Sequence, residues 1–230
     1  MELDKESLSE QIYNRLKRRI IDLEIVPGEK IGPSSLEREF GVSRAPIREA
    51  LNRLKEDNLV ESKPRVGYFV VHLTPDKIHD LYDLRVLFET YGLERSIPRI
   101  PQTKIEELQK ESHKLLVNSY SQQELRDRFD QTDRVLHKEL ILERVGNQFF
   151  IDFSTKTIDL IRVTRHLNER IEEAVEEHLR ILEAIAKQDI NSGKKFLEEH
   201  LRNVEEEIIE NHEPAGKRND EVQPYLGRES

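Results

Sequence analysis

The chain has 230 residues, 36% of them charged and 6% aromatic, which suits two modest helical domains with heavily charged outer faces. It contains no cysteine, which excludes disulfides and thiolate metal sites, and no apolar run approaches the roughly 20 residues of a membrane span. Residues 1–72 hold 13 Lys+Arg and 13 Asp+Glu, so the net charge of −9 comes from the remainder and does not exclude binding of an acidic polymer by the first part.

The opening stretch, MELDKESLSEQ, lacks a basic start and an apolar core, so no signal peptide is visible and a cytoplasmic protein is expected. Residues 7–24 predict a first helix, with Ser7 or Ser9 as cap and Ile12, Leu16, Ile20 and Leu23 as its stripe. Pro27-Gly28 breaks it, and Ile31 begins a short extended segment. Residues 33–57 then read as two short helices joined by a tight turn. Leu36, Phe40 and Val42 give the first an apolar side. Gly41 sits at the break, where positive φ is easily held. Ser43 is placed to cap the second helix, with Pro46 in its first turn. Ile47, Ala50, Leu51 and Leu54 form its buried stripe, and Arg44 and Arg48 fall elsewhere, near its start.

That is the layout of a helix-turn-helix, whose second helix enters the major groove with its N-terminal residues leading. Arginine there bonds guanine O6 and N7 or grips phosphate. A helical hairpin with solvated arginines has the same pattern. After Asn58, LVESKPRVGYFVV predicts a two-stranded hairpin with residues 63–67 near its tip. Beside a helix-turn-helix this is a wing: Arg65 suits phosphate or the minor groove, and Gly67 lets backbone approach closely.

Residues 72–75 form a short linker. Six helical segments are expected from Pro75 to Asn211, near 75–97, 103–119, 121–145, 147–167, 169–188 and 190–211, each with the apolar stripe a bundle requires. The domain division is 1–72 and 73–212, with a tail at 213–230 that lacks periodicity and is expected to be disordered. The fold class is mainly α with a small β-wing.

Asp133 and His137 lie four apart among Phe129, Leu136 and Leu140. His178 falls in the run Ile171, Val175, Leu182, Ile185, and His200 in the run Leu197, Leu201, Val204, Ile208. All four point into the bundle from three helical segments. One buried histidine is usually a satisfied core residue. Three, with a carboxylate at a spacing that lets side chains converge, suit a divalent cation, which offsets the burial of the charge. Such a ligand set suits Zn²⁺ or Ni²⁺.

The wording of the sequence adds to this. FGVSRAPIREALNRLKEDNLVE followed by PRVGYFV resembles the winged helix-turn-helix of the GntR family of bacterial transcription regulators. LYDLRVLFETYGLE, DRVLHKELI, EEHLRILEAI and FLEEHL resemble the FCD ligand-binding domain of its FadR branch, and six helices suggest the smaller VanR-like variant. The resemblance implies that Ser43, Arg44, Pro46 and Arg48 lie at the DNA and that Arg38 approaches phosphate. It implies a metal held by Asp133, His137, His178 and His200, and a pocket that includes Arg85, which could hold a carboxylate in bidentate fashion. Arg85 equally suits a surface ion pair with Glu89, and Asn147, a further pocket candidate, equally suits a helix cap.

The expected protein is a homodimeric, metal-containing regulator, read as a repressor. It would bind double-stranded DNA at a pseudo-palindromic operator and answer to a small organic acid. A metal-dependent hydrolase fused to a nucleic-acid-binding module is the alternative from another class, since such a ligand set can activate water. The sequence lacks a general-base motif such as His-Glu-x-x-His. A regulator that senses the metal itself, or a purely structural metal, would use the same residues.

Overall fold

The computed structural model describes residues 7–212; the expected tail at 213–230 lies outside them. Helix α1 spans Leu8–Ile21 and is capped by Ser7, whose hydroxyl accepts from the Glu10 amide at 3.2 Å. It ends earlier than its apolar spacing predicts. Leu23 takes a left-handed φ of 59°, and Ile25 rather than Leu23 fills the buried position.

Helix α2 (Pro33–Phe40) stops at Gly41, whose φ of 65° gives the left-handed C-cap that glycine takes without a Cβ penalty. Helix α3 (Arg44–Glu56) follows directly. Ser43 occupies its N-cap with extended backbone, but its side chain makes no capping hydrogen bond. Ile47, Ala50, Leu51 and Leu54 are fully buried together with Leu16 and Ile20 of α1.

Strands β2 (Val60–Lys63) and β3 (Gly67–Val70) form the expected hairpin. The sheet has three strands rather than two. Strand β1 (Lys30–Ile31) pairs antiparallel with β3, Lys30 opposite Phe69 and Ile31 opposite Tyr68, so the order is β1-β3-β2. That pairing covers an edge of β3 that a lone hairpin would leave open.

The second half contains α4 (Pro75–Ser96), α5 (Gln102–Val117), α6 (Gln122–Arg134), α7 (Gln148–Ile161), α8 (Ile171–Ala186) and α9 (Ile190–Glu210). Two of the expected long helices change form part-way. After α6 the chain continues as a π-helix, Val135–Leu142, and a short 3-10 turn that ends at Gly146 with φ 77°. After α7 it tightens into a 3-10 segment, Arg162–Leu167. Helix α4 runs through the bundle against α9, α7 and the π segment. Gly92 permits its close approach: a Cβ there would lie 3.2 Å from both the carbonyl oxygen and the Cγ2 of Ile141. No helix among the described residues is long and apolar enough to cross a membrane.

Candidate metal centre

Asp133 is near the end of α6, His137 lies on the π segment, His178 on α8 and His200 on α9. One ligand atom from each can be chosen so that all lie within 4.8 Å of one another. His178 Nε2 is 3.2 Å from His137 Nε2 and 3.1 Å from His200 Nε2. Asp133 Oδ1 is 3.5 Å from His137 Nε2 and 3.8 Å from His178 Nε2. Ligand atoms about 2.0–2.2 Å from a common Zn²⁺ stand roughly 3–3.5 Å apart, so the adjacent imidazoles are at the spacing for one ion, with Asp133 slightly further from His178. Asp133 and His137 straddle the boundary between α and π geometry, and π turns recur at functional sites because they re-aim a side chain.

The far nitrogens of two imidazoles are fixed by carboxylates. His137 Nδ1 meets Glu89 of α4, and His200 Nδ1 meets Glu177 Oε2 at 2.7 Å. A carboxylate on Nδ1 holds the proton there and leaves Nε2 free to bind a cation. Burial alone would raise the Glu89 carboxyl, but Arg85 and His137 outweigh it and bring it to about 2. Glu177 also reaches about 2, because hydrogen bonds from His200, Asn203 and Arg170 outweigh burial. Both therefore stay ionised. Burial, with His200 and His137 beside it, pushes His178 well below its ordinary value, and burial likewise lowers His200. Neutral imidazoles are the form a metal needs. Phe129 stacks on His178, 5.7 Å between centroids and 5° between planes, and restrains the third ring.

Asp133 is a third exposed, whereas the three histidines are buried. It opens on a cavity of about 60 Å³ whose lining includes Tyr82, Arg85, Arg126, Asp130, Arg162 and Arg165. Arg85 is buried and pairs with Glu89, Nε to Oε1 at 2.5 Å. The ion pair with Glu89 exists, but it is interior and beside the cavity rather than on the surface. Burial opposes the Arg85 charge, yet Glu89 more than compensates and holds the guanidinium above its ordinary range. Asn147 is placed otherwise. It is exposed, caps α7 through its side-chain oxygen on the Phe150 amide at 3.1 Å, and is not part of the cavity lining.

On the winged half, Arg38, Ser43, Arg44, Arg48 and Arg65 are exposed, while Pro46 and Gly67 are half-buried. Arg44 leans on Glu37 at 2.9 Å, and Arg38 Nε donates to the Ser34 carbonyl at 3.3 Å. Arg65 and Gly67 both have positive φ, 63° and 137°, at the hairpin tip. Tyr68 of β3 donates to Asn52 of α3 at 3.3 Å, which ties the wing to the second helix.

Residues 8–70 match the family model described as "Bacterial regulatory proteins, gntR family", and residues 80–203 match the FCD domain. The chain belongs to the GntR family. This GntR protein is 31% identical over 215 residues to the HTH-type regulator YdhC of Bacillus subtilis (strain 168), covering 87% of this chain and 94% of that protein. It is 30% identical to the gluconate operon transcriptional repressor of the same organism, covering 79% and 74%. A GntR regulator from Rhodococcus sp. RHA1 shares the fold, with a TM-score of 0.75 at 19% identity, over 89% of this chain and 99% of that one. The Zn²⁺-bound FCD domain of TM0439 is 30% identical with a TM-score of 0.52, over 61% of this chain and 96% of that one. The family and these relatives are transcription regulators rather than enzymes, so the hydrolase alternative is set aside.

Sequence reasoning did not single out Glu177, Tyr82, Arg126 or Arg162, and it took Glu89 only as a surface partner of Arg85. Glu89 follows Arg85 by four residues and so shares its face, which was the available signal. Glu177 directly precedes His178 and yet serves His200 on another helix, a pairing with no local signature. We expect Glu177→Gln to lower Zn²⁺ affinity about 10–100-fold and His178→Ala to lower it further, measured by competition with a chromophoric chelator. Wild-type affinity in Glu177→Gln would show that this carboxylate does not orient a ligand.

Proposed function

We propose that this GntR regulator is a homodimeric repressor whose operator affinity is set by a small organic acid bound beside a divalent metal. The observation that carries the reading is the Asp133, His137, His178 and His200 cluster opening on an arginine-lined cavity. Zn²⁺ or Ni²⁺ suits three imidazoles and one carboxylate. Bound there, the ion supplies a Lewis-acidic position for a ligand oxygen. Arg85 holds positive charge at the cavity wall, where a carboxylate is neutralised and oriented. The cavity beside the cluster is small, about 60 Å³, which favours a compact acid. A relative named as a gluconate operon repressor places sugar acids in the first panel to test. The acid must favour one arrangement of the DNA-binding halves, because equal affinity for both would shift nothing.

The same reading assigns the recognition helix to α3. Arg48 reads or clamps the operator from its exposed first turns, with Ser43, Arg44 and Pro46 around it. Arg48 makes no hydrogen bond or ion pair within the described residues and is free to meet a base edge. Arg38 reaches phosphate, and Arg65 with Gly67 carries the wing to the backbone or minor groove. Such a regulator acts where the chromosome lies, in the bacterial cytoplasm, with residues 8–70 binding DNA and the helical half binding the effector.

The dimer surface follows from an exposed apolar face. Leu84, Leu87 and Tyr91 lie on one stripe of α4, and Phe149 and Phe153 on α7, all between 43% and 79% exposed. Tyr91 packs on Phe150 with ring centroids 5.3 Å apart, so the stripes adjoin. Large exposed apolar patches mark interaction sites, and a second copy placed here gives the two-fold symmetry a pseudo-palindrome requires.

Arg48→Ala should weaken binding to a selected operator while leaving the fold intact, read by fluorescence anisotropy and circular dichroism. Arg65→Ala should lower affinity with less change in sequence preference. Unchanged binding in Arg48→Ala removes the recognition-helix assignment. Leu87→Asp should convert a dimer to a monomer by light scattering; a persistent dimer places the interface elsewhere. Metal-loaded protein screened by thermal shift against mono-, di- and tricarboxylates and gluconate should give a hit that disappears with chelator. Saturation at 100 times Kd stabilises by about 2.7 kcal/mol. Stabilisation by metal alone, with no acid effective, would favour a metal sensor or a structural ion.

A further inference from the structure

The winged domain and the bundle are joined by more than the linker. Lys156 of α7 places Nζ 2.7 Å from Asp57 Oδ1. Asp159, one turn on, places Oδ2 2.8 Å from Lys17 Nζ of α1. Lys17 Nζ is also 3.9 Å from Asp57 Oδ2, and the Tyr13 hydroxyl donates to Asp57. The charges therefore alternate along a chain: Lys156, Asp57, Lys17, Asp159. The Asp57 and Asp159 side chains are each only 8% exposed and that of Lys17 21%. Asp57 is also the C-cap residue of α3. Beyond α7, Arg165 lies 3.9 Å from Asp22, the C-cap of α1. The bundle thus holds the back of the recognition helix and the end of the helix that supports it.

The same segment walls the cavity. Ile158 and Ile161 of α7, with Arg162 and Arg165 of the 3-10 turn, line it together with Arg85 and Asp133. One short stretch of chain meets the candidate effector space on one side and the DNA-binding domain on the other. The link is discrete rather than compliant. The Lys156–Asp57 pair is open to solvent on the lysine side, 55% exposed, and yields at less cost, but separating Lys17 from Asp159 leaves an uncompensated charge in the interior. A shift of α7 at Asp159 must carry Lys17 with it or leave that carboxylate unpaired, and a contact of that kind can couple two sites.

We infer that α7 and its 3-10 extension transmit occupancy of the cavity to α3 through the Lys156–Asp57 and Asp159–Lys17 pairs. This inference rests on the effector reading above. A ligand that displaces Ile158–Arg165 turns α3 against the bundle, and so against α3 of the second copy.

The test uses the full-length, Zn²⁺-loaded chain, a DNA duplex selected by the wild-type protein from a random pool, and L-malate and D-gluconate as probes. The variants are Lys156→Met, Asp159→Asn and the charge-conserving Lys156→Arg. Lys156 is half-exposed, and its loss leaves Asp57 with Lys17 and Tyr13, so Lys156→Met should fold. In the wild type, an acid that binds should change operator Kd by about fivefold or more, the usual lower range of coupling. It should also alter amide exchange in the last turn of α3. In Lys156→Met and Asp159→Asn the same acid should bind with unchanged affinity, shift operator Kd less than about twofold, and leave the α3 amides unaffected. Lys156→Arg, which keeps the cation opposite Asp57, should keep the shift. Single variants that keep the full wild-type shift would overturn the inference and leave the effector reading standing. If neither acid binds the wild type, or binding leaves operator affinity unchanged, the effector reading falls and the inference falls with it.

Discussion

An apolar helical bundle admits a carboxylate and three imidazoles only if their polar atoms are answered from within. Among the described residues that condition is met by two further carboxylates. Glu89 stands between Arg85 and His137, and Glu177 between His200 and a group formed by Arg170 and Asn203. Each carboxylate is kept ionised by its cationic and hydrogen-bonding neighbours against the effect of burial. The inward-facing Nε2 atoms meet only one another and Asp133 among the described residues, and they sit at the spacing of ligands to one ion. The positions of α4, α8 and α9 all follow from this arrangement, since each contributes one member of a pair that fails if a helix slides by a residue.

Helix α4 brings Glu89 to His137 by lying close to the π segment, and Gly92 is what allows the approach. The π geometry has its own consequence. It begins between Asp133 and His137, so the two side chains are not simply stacked one α-turn apart. Helix α7 combines three roles on three sides. Phe149 and Phe153 are exposed, Ile158 and Ile161 wall the cavity, and Lys156 and Asp159 reach the winged half. A helix shared in this way cannot move without consequence for all three surfaces, which is a physical basis for regulation at a distance.

Much of the fold was readable from local patterns. The helix-turn-helix announced itself through Gly41, the Ile47–Leu54 stripe and the turn chemistry of the wing, because each is a short-range preference. The inward direction of Asp133, His137, His178 and His200 followed from helical periodicity alone. Other features were hidden for stated reasons. Strand β1 is two residues long and gains its identity from β3, some 40 positions later. The π and 3-10 segments keep apolar residues in nearly the same rows as an α-helix, so periodicity does not distinguish them. Asn147 satisfies the rules for a cap and for a pocket equally, and only its exposed position shows the cap.

The sequence by itself determined the order of the main helices, the recognition-helix pattern and the inward direction of the apolar stripes and of the three histidines, because these depend on near-neighbour spacing and on the chemistry of single residues. The tertiary structure decided what those interior groups meet. It paired Glu177 with a histidine on another helix and turned Arg85 and Glu89 from a surface pair into an interior one. It also set Lys156 and Asp159 against Asp57 and Lys17, about 100 or more positions away. Those partners are fixed by helix packing, and packing depends on the whole bundle at once, so no window of sequence contains it.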